Sequence, residues 1–221
     1  LVSAYGGGGA VVAAAATAGT AVTAAFGHAL LGVPRTRRFL LCNRSDCAVP
    51  FTVGSAGAGV SVGGSGAFAG GEGSLTLTGG SRIELHSQPG LNSVTVGREG
   101  SGFLRLRGAS SIDQGDGVMQ VARNSGSDGT VIISEGSTIT AGWLGVGARK
   151  TDTGDTDGGT GTFVLINSTL NAGQIVIGTN GFLGGTGTIN GVVTNRGIFA
   201  PGNSPGRLEI NGGYIAEAGS R

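Results

Sequence analysis

The chain has 221 residues, of which 48 are glycine, with 12% charged, 5% aromatic and a formal net charge of +1. Glycine at that level without a period would indicate a low-complexity, unfolded chain, but here the glycines recur, which excludes that class. The small net charge excludes a general electrostatic pull toward nucleic acid or acidic membranes.

Residues 1–51 share no repeat with the rest and form a separate non-repetitive segment. Residues 10–33 are alanine-rich and of low polarity, followed by Pro34 and the basic residues Arg35, Arg37 and Arg38. In a signal peptide the basic region precedes the apolar one, so the order here is wrong. The stretch is long enough to span a bilayer. It is only weakly apolar, however, and the positive-inside rule would leave the remainder in the cytoplasm. Because Met119 is the sole methionine, the segment is expected to be a processed, mis-called or poorly ordered extension, or an export remnant. Cys42 and Cys47 are the only cysteines. They close a small loop in an oxidising compartment or stand as two unrelated thiols, the latter being preferred, and with no second Cys or His pair nearby zinc is not expected.

From Val60 a degenerate repeat takes over. Val60, Val62 and Gly63 precede Leu75, Leu77, Gly79, Ser81 and Ile83. Val94, Val96 and Gly97 precede Leu104, Leu106, Gly108, Ser110 and Ile112. Met119, Val121 and Gly126 precede Val131, Ile133, Gly136, Ser137 and Ile139. Leu144, Val146 and Gly147 precede an inserted polar loop, then Phe163, Leu165 and Leu170. Val62, Val96, Val121, Val146 and Ile177 stand 34, 25, 25 and 31 residues apart, a period that belongs to a solenoid. Within each copy every second residue is apolar over a few positions, which is a half-buried strand and too short for a helix. Glycines bracket the strands where the backbone must turn. The inward residues of one coil do not offset the entropy of ordering its backbone, so neighbouring coils must stack. The expected fold is all-β, a right-handed parallel β-helix (β-solenoid) over residues 52–221 with irregular coils of about 25–32 residues. Leu77/Leu106/Ile133/Leu165 and Ile83/Ile112/Ile139 are its expected apolar columns.

Near the end, GFLGGTGTINGVVTNRGIFAPGNSPGRLEINGGY occupies residues 181–214. Pro201 and Pro205 cannot donate to a ladder, so PGNSPG is expected at a tight corner, with Gly202 and Gly206 beside Asn203 supplying turn conformations. This run resembles the autotransporter-associated β-strand repeat of passenger regions in bacterial type V secreted proteins. The same cassette occurs in other glycine-rich exported bacterial proteins, and the likeness extends over residues 60–214. It implies a passenger exported to the cell surface or secreted, adhesin-like or a structural stalk, served by an outer-membrane β-barrel translocator in the full-length protein.

Parallel β-helices also carry polysaccharide lyases and hydrolases, whose sites need carboxylates in register on adjacent coils. Glu72, Glu84, Glu99, Asp113, Asp116, Asp128 and Glu135 fall mostly at turns and are read as solvated residues that do not recur at one register. An enzyme with its catalytic coil outside or at the margin of this chain is the alternative. His28 and His86 are the only histidines, and none of the many serines is singled out as a nucleophile by a strained strand-to-helix turn, so no triad is expected. Lys150, the only lysine, follows Arg149 and not a phosphate-binding turn, and GxGxxG is absent. No cofactor and no catalytic residue are expected. In TDTGDTDGGTG, Asp152, Asp155 and Asp157 offer oxygen ligands for calcium. The run lacks the EF-hand glutamate and the GGxGxD form, so a solvated excursion is preferred. Finally, Arg98 and Arg123 each stand two residues after an inward valine, and Arg149 and Lys150 follow Val146 at nearly the same place. Stacked coils would align these charges along one edge, where an acidic glycan or a host or neighbour-cell surface molecule would relieve their repulsion. Nucleic acid is not expected, because the few aromatics are mostly inward phenylalanines.

Overall fold

The computed structural model describes residues 72–85, 93–202 and 206–221, together with the backbone of the strands Val2–Tyr5, Val11–Ala14, Phe51–Ser55 and Ala58–Ser65. His28, Arg35, Arg37, Arg38, Cys42, Cys47, His86, Asn203 and Pro205 lie outside the described residues. Val2–Tyr5 and Val11–Ala14 pair antiparallel with each other. No described helix is long and apolar enough to cross a membrane, which says nothing of β-barrels.

The described chain is all-β, and fifteen of its strands join in one curled, mostly parallel sheet. Three parallel ladders carry it. In the first, Leu75, Leu104, Val131, Phe163, Leu183 and Phe199 are successive register partners. The second aligns Ile83, Ile112, Ile139, Leu170, Ile189 and Ile210. The third aligns Val94, Met119, Leu144, Ile175, Val193 and Tyr214. The chain visits the first, second and third ladder and then returns to the first one tier further along. Strands Thr160–Ile177 and Gly181–Asn195 each run through all three, with register shifts where they pass from one ladder to the next. Alternate residues point inward, as the period of two requires. Their apolar side chains form one core from Leu77 to Val193, in which Phe163, Leu106, Ile133, Leu165 and Ile175 are fully buried. Both columns expected from the sequence stand in register.

Between the first and second ladders the backbone turns through consecutive left-handed residues, Gly79–Gly80, Gly108–Ala109 and Glu135–Gly136. A buried serine follows each turn. The Ser81 hydroxyl donates to the Thr78 carbonyl at 2.6 Å and Ser110 to Arg107 at 2.8 Å. Each bond satisfies a carbonyl that the turn takes out of the ladder. The recurring glycine and serine of the repeat are therefore corner residues.

Two expectations need correction. Val62 does not head the column of Val96, Val121, Val146 and Ile177, which are parallel partners. It lies in strand Ala58–Ser65, which pairs antiparallel with Phe51–Ser55 and with Glu72–Thr78, so Val60 and Val62 face Leu77 and Leu75 across a hairpin register. Alternating apolar residues read the same in either direction, and the pattern alone does not orient the strand. Secondly, coil lengths of about 25–32 residues hold only for the earlier tiers. The first-ladder partners Leu75, Leu104, Val131 and Phe163 are 27 to 32 residues apart, whereas Phe163, Leu183 and Phe199 are separated by 20 and 16. Gly185, Gly187 and Gly191 take positive φ within strand Gly181–Asn195 and let it turn corners without loops. Pro201 ends strand Ile198–Pro201 on the last tier, opposite Gly185.

Candidate functional site

The arginines gather at the corner where the third ladder gives way to the first. Gly97, Ala122 and Gly147 each follow an inward valine and take φ of 75°, 57° and 61°. Backbone bonds tie these positions together: Ala122 N–H to Val96, Arg123 N–H to Gly97 and Gly147 N–H to Val121, all at 2.8 Å. Arg98 and Arg123 therefore occupy the same place on successive tiers. At Gly147 the chain departs into an antiparallel hairpin, Ala148–Thr151 against Gly154–Asp157. It re-enters at Gly158 and Gly159, whose amides bond Gly147 and Ala122 at 2.8 and 2.9 Å. Arg149 sits at the start of that hairpin, one residue past the strict register of Arg98 and Arg123.

Arg98 is exposed, with 68% of its side chain accessible, and its Nε lies 3.8 Å from Glu99 Oε1. Arg123 Nη1 donates to Asn124 Oδ1 at 3.2 Å, and Asn124 Nδ2 donates to Glu99 Oε1 at 3.5 Å. The Arg123 pKa is lowered, first by burial, then by the charges of Arg149 and Arg98, with Glu99 acting in the opposite direction. The three guanidiniums thus share one field. Lys150 stands apart. The hairpin alternates, so Ala148 and Lys150 face the sheet while Arg149 faces away. Lys150 Nζ lies 5.2 Å from the Trp143 ring centroid, a cation–π distance, and its amide donates to Gln120 Oε1 at 3.1 Å. Beneath it Trp143, Ala148 and Val176 pack with Val118 as a small second core outside the main one.

Two of the three calcium candidates are turned onto an arginine. Asp155 Oδ1 lies 2.5 Å from Arg196 Nη2, and Asp157 Oδ1 lies 3.6 Å from Arg196 Nε. Asp157 also accepts from the Thr179 amide at 3.1 Å and hydroxyl at 2.9 Å. Asp152 is exposed at the hairpin tip, apart from both. Among the described residues no group of three His, Cys, Asp or Glu is arranged to hold a metal ion. Burial pulls the Arg196 pKa down, but the Asp155 hydrogen bond and the charges of Asp155, Asp157 and Glu217 outweigh it, and the net shift is upward. Arg196 escaped the sequence reading because its partner Asp155 is 41 residues away, across a tier that spacing does not reveal.

The expectation that carboxylates never share a register also needs correction. Glu84 and Asp113 are direct partners on adjacent tiers of the second ladder, because RIE and SID place them at equivalent strand positions. Arg82 pairs with Glu84 and lies 3.6 Å from Asp113 Oδ2. Their column continues through Thr140, Asn171, Asn190 and Asn211. There the side chains form a ladder of their own. Asn171 donates to Thr140 Oγ1 at 3.3 Å, Asn190 to Asn171 at 2.7 Å and Asn211 to Asn190 at 2.9 Å. The recurrence of L-N and I-N in TLN, TIN and EIN was the available signal.

Compared with known proteins, the chain matches no family model, no curated protein and no solved structure.

Proposed function

We propose that the chain is a right-handed parallel β-helix that serves as a non-catalytic, exported rod, displayed on a bacterial surface or secreted as an adhesin-like passenger or structural stalk. The observation that carries this reading is the stack of six tiers on three parallel ladders around one apolar core. Such an array grows by nearest-neighbour contacts, and its lateral surface is what it offers to partners. The resemblance of residues 181–214 to the autotransporter-associated repeat supports the export route and a β-barrel translocator as partner. Intact cells making the native protein, treated with a protease that does not enter them, test it. Loss of the chain from intact cells, or its recovery in the medium, is the expected result; full protection until lysis overturns it.

A second reading, a polysaccharide lyase or hydrolase, is favoured by the register of Glu84 and Asp113 on adjacent tiers. Arg82 engages both carboxylates, which speaks for a structural triad. Polysaccharide cleavage by the purified chain that is lost in both Glu84→Gln and Asp113→Asn would establish this reading over the first.

A further inference from the structure

We infer that the corner formed by Arg98, Arg123 and Arg149 is a docking strip for an acidic polysaccharide. The inference rests on the reading of the chain as a displayed rod and names the partner class for that surface. Its first support is position. The amide of Arg123 bonds Gly97 and that of Ala122 bonds Val96, so Arg98 and Arg123 project from the same place on adjacent tiers, about 4.8 Å apart. Arg149 begins the hairpin that leaves from the next tier.

The second support is charge. Arg98 is paired only loosely, 3.8 Å from Glu99, and Asn124 shares that carboxylate while holding Arg123 through its other end. At Arg123 the charges of Arg98 and Arg149 are opposed by that of Glu99, so two guanidiniums act on a third against one carboxylate. Of the hairpin aspartates, Asp155 and Asp157 are taken by Arg196, and Asp152 is exposed at the hairpin tip. Like charges on neighbouring tiers repel, and an occupant carrying repeated negative charges converts that repulsion into attraction. Guanidinium forks suit carboxylate and sulfate groups, which accept two parallel N–H bonds.

The third support concerns what else lines the corner. Gly100 and Ser101 follow Glu99, and Asn124, Ser125 and Gly126 follow Arg123; these are small or polar and suited to sugar hydroxyls, with the exposed Asp128 beside Ser101 on the next tier. A single-stranded nucleic acid needs aromatic platforms, and Trp143, only 4% exposed, lies beneath the hairpin. Three charges spread over two tier steps span roughly 10 Å, so a polymer engages all three where a lone anion engages one.

The test uses the whole purified chain, with heparin and polygalacturonate as acidic polysaccharides and dextran as the neutral one, titrated at low and physiological salt. Binding to the acidic polymers and not to dextran is expected, weakening as salt rises. The triple variant Arg98→Gln, Arg123→Gln, Arg149→Gln should bind about tenfold or more weakly, with an unchanged circular dichroism spectrum. Arg207→Gln, at an exposed arginine paired with Glu209 elsewhere, should bind as the parent does. Equal affinity of parent and triple variant overturns the inference, as does silence toward both acidic polymers at low salt. Tighter, arginine-dependent binding to single-stranded DNA or to anionic vesicles overturns the assignment to polysaccharide. A chain that is accessible on intact cells but binds neither polymer refutes the strip and leaves the rod; a chain that binds but stays inside the cell does the reverse.

Discussion

At Gly97 the fold leaves no room for any side chain. A Cβ there would stand 2.0 Å from the Asp128 carbonyl oxygen, on a backbone already at φ +75°. Gly126 shares the left-handed conformation, at φ +80°, but a Cβ there meets nothing within 4 Å. Gly126→Ala should therefore cost only the conformational strain, about 1–2 kcal/mol, whereas Gly97→Ala should cost clearly more, because backbone of the next tier must move. Denaturant midpoints of the two variants measure the difference, and equal midpoints would refute the packing argument. The amide ladder gives a second expectation at this scale. Asn171→Ala removes the bonds to Thr140 and from Asn190 and should lower stability by about 1–2 kcal/mol, read from the same denaturant curves. Arg98 and Arg123 were legible in the sequence because they sit at a fixed offset from inward valines, and parallel register preserves such offsets. Lys150 was not, since its direction depends on the alternation of a hairpin that the polar composition of TDTGDTDGGTG does not disclose.

The hairpin Ala148–Thr151 and Gly154–Asp157 is inserted between strands of the main sheet without joining it, and it is held at two places. Lys150 lies over Trp143 and bonds Gln120. At the other end Arg196, with 21% of its side chain exposed, gathers Asp155, Asp157 and Glu217. Removing Arg196 leaves those carboxylates without their common partner, a loss of about 1–3 kcal/mol for charge-assisted bonds at a partly buried site. In Arg196→Ala the hairpin should loosen from its base and Trp143 should become accessible. Trp143 is the only tryptophan, so a red-shifted emission and faster acrylamide quenching report the change directly. An unaltered spectrum would show that Lys150 and the small Val118/Val176 core hold the hairpin unaided. In sequence the insert was recognisable as an interruption of the fourth repeat. Its anchor was not, because an ion pair between non-adjacent segments has no periodic signature.

Across the molecule, stability is unevenly distributed. Residues of the middle tiers, such as Ile133, Ile139, Leu165 and Leu170, are fully buried with a tier on either side. On the last tier Leu208 and Ile210 are only partly buried, and Tyr214 and Ile215 are 45% and 50% exposed. In a stack governed by nearest neighbours the ends open first. Amide exchange should therefore be slowest through residues 138–147 and 160–177 and fastest through residues 208–216. Uniform protection would contradict the graded picture. Leu165→Ala should cost about 2–5 kcal/mol, and Ile210→Ala markedly less. The all-β character and the column alignments were visible in the sequence, because period-two apolar patterning and corner glycines recur tier by tier. The direction of strand Ala58–Ser65 was not, since an alternating strand pairs equally well either way. The short last tiers were hidden as well, because glycine-rich corners compress the spacing that revealed the earlier ones.

The departure of the chain at Gly147 and its return at Gly158 carry a consequence for descent. The two residues close on each other through a single amide bond, and the ladders on either side keep their register across the excursion. A lineage can lengthen, shorten or rewrite the tip between Lys150 and Asp155 without renegotiating the rest of the protein, because the contacts that hold the hairpin lie at Lys150, Asp155 and Asp157. Novelty can thus accumulate at the hairpin tip around Asp152 while the scaffold is inherited intact, and the same tip is where a foreign epitope can be grafted.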